Sequence, residues 1–348
     1  MLKHLKRAAL RAAQSAGVFR LAAGSGWRRR RLLILCYHGI SIDDEHEWNS
    51  SIFITPSRFE ARLRLLRDAR CAVLPLAQAL DGLHAGELPD RAVAITFDDG
   101  FFDFFCQACP LLRRYELPAT VYLTTYYCDY NRPVFDVACS YLLWKGRGAV
   151  VETDGLLGPR RRLDLTTGQG RASATSAVKD FARQNRLSAE EKDQLAERLA
   201  GRLGVDYQRL LGERILHLMT PQEVARLAEA GVDVQLHTHR HRTPLDRALF
   251  HREIQDNRRR ILEMTGARAD HFCYPSGFHR PEFLPWLAEQ NVTSATTCQP
   301  GLATPSSHRL LLPRLVDHSQ LSQVEFEGWL AGVAAVLPRR TPAAASAA

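Results

Sequence analysis

The chain has 348 residues, of which 45% are hydrophobic and 24% are charged, and its formal net charge is +8. These values are ordinary for a soluble globular protein, and no apolar stretch approaches the roughly 20 residues that a membrane-spanning helix needs. The length allows one large α/β domain or two small ones.

The basic charge is concentrated at the start of the chain. Residues 1–42 contain nine Lys or Arg and no acidic residue, so residues 43–348 sum to −1. Apolar side chains recur at helical spacing over residues 2–16, and Arg28–Arg31 add a basic run. We therefore expect residues 1–31 to form a basic N-terminal arm. Such an arm either contacts an anionic membrane surface or packs on the following domain with a solvated basic face.

Other roles and compartments are disfavoured. The arm does not resemble a secretory signal peptide, because Arg20 interrupts its apolar stretch. No nucleic-acid partner is expected, because the basic segment lacks interleaved aromatic residues. The eight cysteines are scattered without zinc-ribbon spacing, which favours a reducing cytoplasm, with the arm at the inner membrane face if it binds lipid.

After the arm, short apolar runs alternate with helical patterns. Helices are predicted over about residues 55–68, 101–115, 221–231 and 246–265. Strands are predicted at residues 32–37, 92–97, 119–123, the run that ends at His237, and 272–274, 294–297 and 310–315. This alternation predicts a parallel sheet with helices packed outside it.

Two adjacent acids end the second of these strands, in the sequence Thr96-Phe97-Asp98-Asp99-Gly100. Asp-Asp-Gly can simply form a turn. However, α/β folds place their chemistry at the carboxyl ends of strands, and burying two neighbouring carboxylates is costly unless a cation or a shared proton compensates. The pair therefore indicates a metal whose other ligands come from elsewhere in the chain.

Three histidines follow a later strand, at positions 237, 239 and 241. Imidazole nitrogens and a carboxylate oxygen suit zinc and other divalent first-row metals. One Asp and two His leave a position open for water, as in catalytic sites. On a regular strand all three rings would point to one side, so the spacing alone does not exclude His239 as a ligand.

These motifs resemble the polysaccharide deacetylase family, which has the NodB homology domain and belongs with the family 4 carbohydrate esterases. TFDDG is present unchanged at residues 96–100, and His237-Thr238-His239-Arg240-His241 matches the family's H-[S/T]-x-x-H. A looser match to its third motif lies at residues 273–277, and Tyr37-His38 matches an early Tyr-His element. The matches occur in the family's order over about residues 32–317.

The resemblance implies roles for the matching residues. Asp98 would be the general base, and Asp99, His237 and His241 would bind one divalent metal, with Zn²⁺ preferred and Co²⁺ or Ni²⁺ as alternatives. His239 is interpreted as a supporting or exposed residue. The oxyanion would be held by the metal and by a backbone N–H in the third motif, Tyr274-Pro275-Ser276, with Ser276 as the donor.

Two parts of the family pattern depart from this chain. The general acid that the family often takes from a late Leu-x-His motif has only His318 in its neighbourhood, and His38 is a second candidate. Either can also be an ordinary surface or packed histidine. Cys273 stands where many members carry an Arg that holds the catalytic base, so the Asp98 carboxyl must be held differently.

The resemblance also implies a fold, which is a distorted, incomplete (β/α) barrel of the NodB type. We expect the catalytic domain over residues 32–127 and 219–335. Residues 128–218 interrupt the alternation and are expected to form an inserted helical subdomain, with one helix beginning at a capping box at Ser188. Residues 336–348 are expected to be a disordered tail.

The leading hypothesis is a metal-dependent hydrolase that removes the N-acetyl group from an acetamido sugar of a polysaccharide, glycan or lipid-linked glycan precursor. A deformylase or another C–N amide hydrolase of the same superfamily is the alternative, and a non-catalytic glycan-binding homologue is a third possibility. An amidohydrolase-type pair of His237 and His239 is disfavoured, because that motif normally ends the first strand of its barrel.

Overall fold

The computed structural model describes residues 2–337, so the predicted tail over residues 336–348 lies outside the described residues except for its first two positions. The strands are β1 Leu33–Tyr37, β2 Gly39–Ile40, β3 Phe53–Ile54, β4 Val93–Phe97, β5 Thr120–Leu123, β6 Val150–Glu152, β7 Arg162–Asp164, β8 Asp233–Leu236, β9 His271–Cys273, β10 Ser294–Thr296 and β11 Leu315–Val316.

The helices surround these strands. They are α1 Leu2–Ser15, α2 Val18–Ala23, α3 Gly26–Arg29, α4 Glu45–Trp48, α5 Pro56–Asp68, α6 Leu76–Ala85, α7 Cys109–Arg114, α8 Phe135–Lys145, α9 Gly168–Gln184, α10 Ala189–Leu203, α11 Tyr207–Gly212, α12 Pro221–Glu229, α13 Arg247–Thr265, α14 Phe283–Glu289 and α15 Gln323–Ala331. Ser188 and Thr220 form capping boxes at α10 and α12, as their sequences predict.

Seven strands form one parallel sheet in the order β10-β9-β8-β5-β4-β1-β11. Every residue of β1, β4 and β5 is buried, because helices and loops cover both faces of a parallel sheet. These strands therefore read as continuous apolar runs. Their parallel direction places the residues that follow β1, β4, β5, β8 and β9 at one edge of the sheet, which we call the C-terminal edge.

The segment before β11 brings the two ends of the sheet together. Leu312 exchanges backbone hydrogen bonds with Ala295 and Thr297 beside β10, whereas Leu315 and Val316 pair with β1. The predicted strand over residues 310–315 is therefore only partly right, since a regular strand covers Leu315–Val316 alone. The segment changes partner near Pro313, which has no N–H to donate. The result is a curled, incompletely closed barrel.

The N-terminal arm packs on the last helix. Leu10, Phe19 and Ala23 share an apolar cluster with residues of α15, and Arg7 forms an ion pair with Glu325 at 2.9 Å. Arg28 is fully buried and donates to the carbonyl groups of Leu330, Arg31 and Ala92. None of the helices between residues 2 and 337 combines the length and hydrophobicity that crossing a bilayer demands.

Residues 128–218 contain helices α8 to α11 and the antiparallel pair β6–β7. Their buried side chains belong to the same apolar cluster as those of the sheet. Polar contacts add to this connection, because Tyr141 and Lys145 of α8 both donate to the Asp44 carboxylate, at 2.5 and 2.7 Å. Residues 128–218 thus extend the core of the barrel.

Candidate active site

Asp98 and Asp99 follow β4 at the C-terminal edge, and a sharp backbone turn separates their side chains. Asp99 has a φ of 71° and Gly100 a φ of 84°, both in the left-handed region that favours glycine. A Cβ at Gly100 would also lie 2.2 Å from the Leu123 Cδ1 atom. This position therefore requires glycine, and the turn gives the two carboxylates different partners.

Asp99 lies between two imidazole rings. Its Oδ1 atom is 3.2 Å from the Nε2 atom of His237 and 3.1 Å from that of His241. His237 follows β8 directly, and the left-handed conformations of Thr238 and His241, with φ of 62° and 53°, bend the chain so that both rings reach the carboxylate. The ligand atoms of Asp99, His237 and His241 all lie within 4.8 Å of one another.

The donor set of this cluster fits a divalent first-row metal. The Nδ1 atom of His237 lies 2.9 Å from the Cys273 carbonyl oxygen, which can only accept, so Nδ1 carries the proton and Nε2 is left for an ion. His237 is almost fully buried, whereas 40% of the His241 side chain is exposed. The cluster therefore has one closed side and one side open to a substrate.

The charges of the cluster are mutually adjusted. Burial alone would raise the pKa of Asp99, but His241 and His237 outweigh it and hold that pKa well below its ordinary value. Burial would lower the pKa of His241, but the Asp99 carboxylate reverses this effect and raises it. A carboxylate ionised in this way is a ready ligand for a cation.

Asp98 has a different partner, Arg314. The guanidinium donates from Nη1 to Oδ1 and from Nη2 to Oδ2, both at 2.7 Å. Both side chains are buried, and Arg314 also donates to the Thr297 carbonyl oxygen. Burial would raise the pKa of Asp98, but Arg314 overcomes it and holds that pKa below its ordinary value. Asp98 is thus ionised and fixed in orientation.

Arg314 holds the Asp98 carboxylate in place of the arginine that many family members carry at the position of Cys273. The Cys273 Sγ atom lies 3.0 Å from Nη2 of Arg314 and 3.4 Å from Oδ2 of Asp98, and Cys36 Sγ lies 3.5 Å from the same oxygen. The guanidinium thus reaches Asp98 from the segment that closes the barrel, with a small thiol beside it. The motifs do not point to Arg314. The available signal is one arginine inside the apolar run at residues 310–316.

The two candidate general acids are placed differently. The Nε2 atom of His38 lies 3.8 Å from Oδ2 of Asp98, and burial lowers the pKa of His38, although Asp98 opposes this effect. His318 lies two residues beyond β11, where its Nδ1 atom accepts from the Gln320 N–H at 3.2 Å. The structure therefore brings His38 next to Asp98 and places His318 in a turn at the same edge of the sheet.

The third motif forms a tight turn after β9. Ser276 is exposed and left-handed, with a φ of 55°, and Pro275 is buried. Tyr274, which the resemblance groups with the substrate-binding residues, is fully buried, and its hydroxyl donates to the Leu310 carbonyl oxygen at 3.1 Å. Tyr274 therefore supports the turn, and Ser276 is the member that faces solvent beside the cluster.

Supporting contacts come from α13. The Asn257 side chain accepts from the His237 N–H at 2.9 Å and donates to the Leu123 carbonyl oxygen. His239 hydrogen-bonds to the Thr125 hydroxyl through Nδ1, at 2.8 Å, and packs against the ring of Tyr126. His239 thus contacts the residues that follow β5, in keeping with a supporting role. The charged pattern of α13 gives no sequence signal for Asn257.

A comparison with protein families decides the relationship. The family model described as polysaccharide deacetylase matches residues 85–153 and 174–295, more than half of the chain. The chain belongs to the polysaccharide deacetylase family. The matched residues include both acids of the turn after β4 and all three histidines after β8. The predicted membership in a family of C–N bond hydrolases is thereby confirmed.

Two relatives share part of this sequence. A Bacillus subtilis (strain 168) protein described as the polysaccharide deacetylase YxkH is 33% identical over 94 residues, which are 27% of this chain and 32% of that protein. A poly-beta-1,6-N-acetyl-D-glucosamine N-deacetylase of Staphylococcus aureus (strain MSSA476) is 32% identical over 72 residues, 21% of this chain and 25% of that protein. The matches thus span about a third or less of these relatives.

Two solved structures share the fold. The deacetylase PplD of Streptococcus pyogenes, in complex with acetate, superposes with a TM-score of 0.55 and 18% identity and covers 84% of this chain and 94% of its own. IcaB from Ammonifex degensii superposes with a TM-score of 0.54 and 16% identity and covers 88% and 97%. At these identities the likeness shows the distorted barrel alone.

Proposed function

We propose that this protein is a metal-dependent hydrolase that removes the N-acetyl group from an acetamido sugar of a glycan or a glycan precursor. The observation that carries the proposal is the cluster of Asp99, His237 and His241 beside an ionised Asp98. Relatives whose names describe N-deacetylation of poly-beta-1,6-N-acetyl-D-glucosamine support the substrate class. A bound Zn²⁺ would polarise the acetamide carbonyl and lower the pKa of water.

The protein's own groups have separate tasks in this reaction. Asp98 accepts the proton of the attacking water, and Arg314 keeps the carboxylate ionised and aimed. The N–H of Ser276 is the proposed donor to the oxyanion of the tetrahedral intermediate. The leaving amine needs a proton, and His38 is the candidate donor that lies within 3.8 Å of Asp98. His318 remains the second candidate.

Acetate release from N-acetylated amino-sugar oligomers tests the proposal. We expect the zinc-loaded protein to release acetate and to lose this activity after chelation, with recovery when Zn²⁺, Co²⁺ or Ni²⁺ is returned. An N-formylated oligomer of equal length is the matched substrate for the alternative deformylase activity. Formate release without acetate release would replace the proposal. Absence of both, in protein that binds the oligomer, would favour a glycan-binding role.

The general acid can be assigned by comparing two variants. We expect His38→Ala to lower turnover about 100-fold or more. Of the two candidate histidines, His38 is the one whose ring lies 3.8 Å from the Asp98 carboxylate. His318→Ala is the matched test of the second candidate. A large loss in His318→Ala with little change in His38→Ala would transfer the role to His318.

We also propose that the N-terminal arm contacts an anionic membrane surface. Leu5 and Leu21 are 65% and 72% exposed, and Lys6 and Arg20 lie next to them in a segment without acids. Exposed apolar side chains that can enter the lipid headgroup region, together with nearby cations, favour binding to anionic membranes. The arm would use this outer side, because its inner side, with Leu10 and Phe19, packs on α15.

Vesicle sedimentation tests this contact. Wild-type protein should bind vesicles rich in phosphatidylglycerol and release them at high salt. Leu21→Ser should weaken binding, because it removes apolar area on the outer side without disturbing the packed side. Leu245→Ser is the control, since Leu245 is 58% exposed and lies outside the arm. Equal binding by wild type and Leu21→Ser would contradict the proposal.

A further inference from the structure

A cavity of about 580 Å³ lies between the residues that follow β5 and the inserted helices. One wall is the short 3-10 helix Tyr126–Asp129 with Tyr130. The other wall is the first turn and a half of α10, including Glu190 and Asp193. Volumes of this size hold ligands that range from small molecules to short oligomers.

The first wall presents aromatic rings. Tyr126, Tyr127 and Tyr130 form a cluster whose ring centroids are 5.2 to 6.4 Å apart. Tyr130 is 40% exposed, and its hydroxyl donates to that of Tyr126 at 3.4 Å. The faces of aromatic rings are apolar and partly negative. They therefore suit the C–H face of a sugar ring, while the hydroxyls supply hydrogen bonds.

The second wall is polar and balanced in charge. Arg132 forms an ion pair with Asp193 at 3.1 Å, and Asp193 also accepts from the Tyr207 hydroxyl at 2.7 Å. Lys192 and the exposed Glu190 complete the charged lining. Two cations and two carboxylates cancel, so the cavity does not select a polyanion. Its many donors and acceptors suit an uncharged ligand rich in hydroxyl and amide groups.

The aromatic wall is tied to the candidate active site. Thr124 donates its N–H to the Asp99 carbonyl oxygen at 3.1 Å, and Tyr126 donates its N–H to the His239 carbonyl oxygen at 2.8 Å. His239 is also in edge contact with the Tyr126 ring. The segment from Thr124 to Tyr126 therefore links the backbone of Asp99 and His239 to the aromatic wall of the cavity.

We propose that this cavity is a subsite for a neutral N-acetylated sugar unit of an oligosaccharide. The next sugar unit of the same chain would lie at the cluster of Asp99, His237 and His241. The proposal rests on the proposed function for the identity of the second site. It assigns the inserted segment a role in selecting chains over single sugars. Neither wall is sufficient alone, since the rings lie in the segment that follows β5 and the charged groups of α10 come from a helix about 60 residues later.

Binding measurements test the subsite without requiring turnover. Isothermal titration of the zinc-loaded protein with tetramers of N-acetylglucosamine, β-1,4-linked and β-1,6-linked, is compared with titration of the monosaccharide. We expect at least one tetramer to bind about tenfold or more tightly than the monosaccharide. Tyr130→Ala should remove most of that difference, because stacking on the exposed ring is lost. Tyr130→Phe should retain it, because the ring face remains.

Two further variants sharpen the result. Glu190→Gln should weaken tetramer binding by a smaller factor, because it changes one rim acceptor. Tyr115→Ala is the matched control, since Tyr115 follows α7 at the opposite edge of the sheet. Equal affinities for tetramer and monosaccharide in the wild type, or an unchanged tetramer affinity in Tyr130→Ala, would overturn the subsite.

The failure of the subsite and the failure of the proposed function give different results. If the tetramer binds at Tyr130 but no acetate is released, the proposed function fails and the subsite stands. If acetate is released equally well from tetramer and monosaccharide, and Tyr130→Ala lowers kcat/KM for both by the same factor, the subsite fails and the proposed function stands.

Discussion

Asp98 and Asp99 are consecutive in the chain, yet their surroundings differ in how negative charge is compensated. Asp98 meets a buried guanidinium in a two-point contact, with thiols of Cys36 and Cys273 beside it. Asp99 meets the rings of two histidines, one of them 40% exposed. The first carboxylate is neutralised by the protein itself, whereas the second is the one that we propose binds a metal ion. Adjacent acids can therefore have separate tasks.

The largest effect is expected from removing the charge of Asp98. Asp98→Asn should lower turnover by about 10²–10⁴-fold, because the proposed base is lost, while bound zinc measured by elemental analysis stays near wild type. Asp103→Asn is the matched control, because Asp103 is also buried after β4 and burial raises its pKa well above the ordinary value. Retained turnover in Asp98→Asn would exclude Asp98 as the base.

The next largest effect is a loss of stability when Arg314 is replaced. Arg314→Met should lower the free energy of unfolding by about 3–5 kcal/mol, because the Asp98 charge would remain buried without its partner. Urea unfolding followed by circular dichroism measures this change. Arg309→Met is the control, since Arg309 lies in the same segment but is exposed. Equal midpoints for the two variants would contradict the role given to Arg314.

Substitution of the three residues proposed to bind the metal should lower zinc affinity, whereas Asp98→Asn should leave it unchanged. Asp99→Ala, His237→Ala and His241→Ala should each weaken zinc affinity by about 100-fold or more, because each removes one of the three proposed ligands. His239→Ala should retain zinc, since its Nδ1 atom is engaged by Thr125. Competition with a chromogenic chelator gives the affinities. Wild-type zinc affinity in any one of the three alanine variants would remove that residue from the ligand set.

The smallest effect is a change in how stability depends on pH. In the wild type the pKa of Asp98 is held below its ordinary 3.8, although burial opposes this. The resulting stabilisation is present above pH 3.8 and is lost only as the pH falls toward the folded pKa. In Arg314→Met burial acts without opposition from Arg314 and raises the pKa, so lowering the pH from 7 to 5 should restore part of the lost stability.

This reversal is measured as the difference in urea midpoint between wild type and Arg314→Met at pH 7 and at pH 5. We expect the difference to shrink at pH 5. A difference that stays constant or grows would show that the Asp98 carboxyl in the variant is not the group that titrates.

Much of the fold could be predicted from sequence because the strands of a parallel sheet are buried on both faces. Val93–Phe97 and Thr120–Leu123 therefore appear as mainly apolar runs, each with a single threonine. Helix starts such as Thr220 were predictable because capping depends on residues three apart. The strand predicted over residues 310–315 failed where the chain exchanges one neighbour for another, since pairing across a barrel depends on residues distant in sequence.

The residues of the candidate site likewise fall into those that local motifs predict and those that only tertiary packing places. Asp98, Asp99, His237 and His241 lie in short contiguous motifs at strand ends, so local patterns point to them. Arg314 contacts Asp98 across 216 positions of sequence, and Asn257 reaches His237 from the buried side of a charged helix. These contacts follow from tertiary packing, and no local period predicts them. The cavity at Tyr130 likewise depends on how α10 docks.

The left-handed backbone conformations at Asp99, Thr238, His241 and Ser276 have a consequence for engineering this protein. Each such conformation in a residue other than glycine costs of order 1–3 kcal/mol, and a β-branched Thr238 is particularly unfavourable there. Replacing Asp99 or His241 by glycine would relieve the backbone but would remove a proposed metal ligand. Thermostable variants are therefore better sought in the helices and loops away from the C-terminal edge.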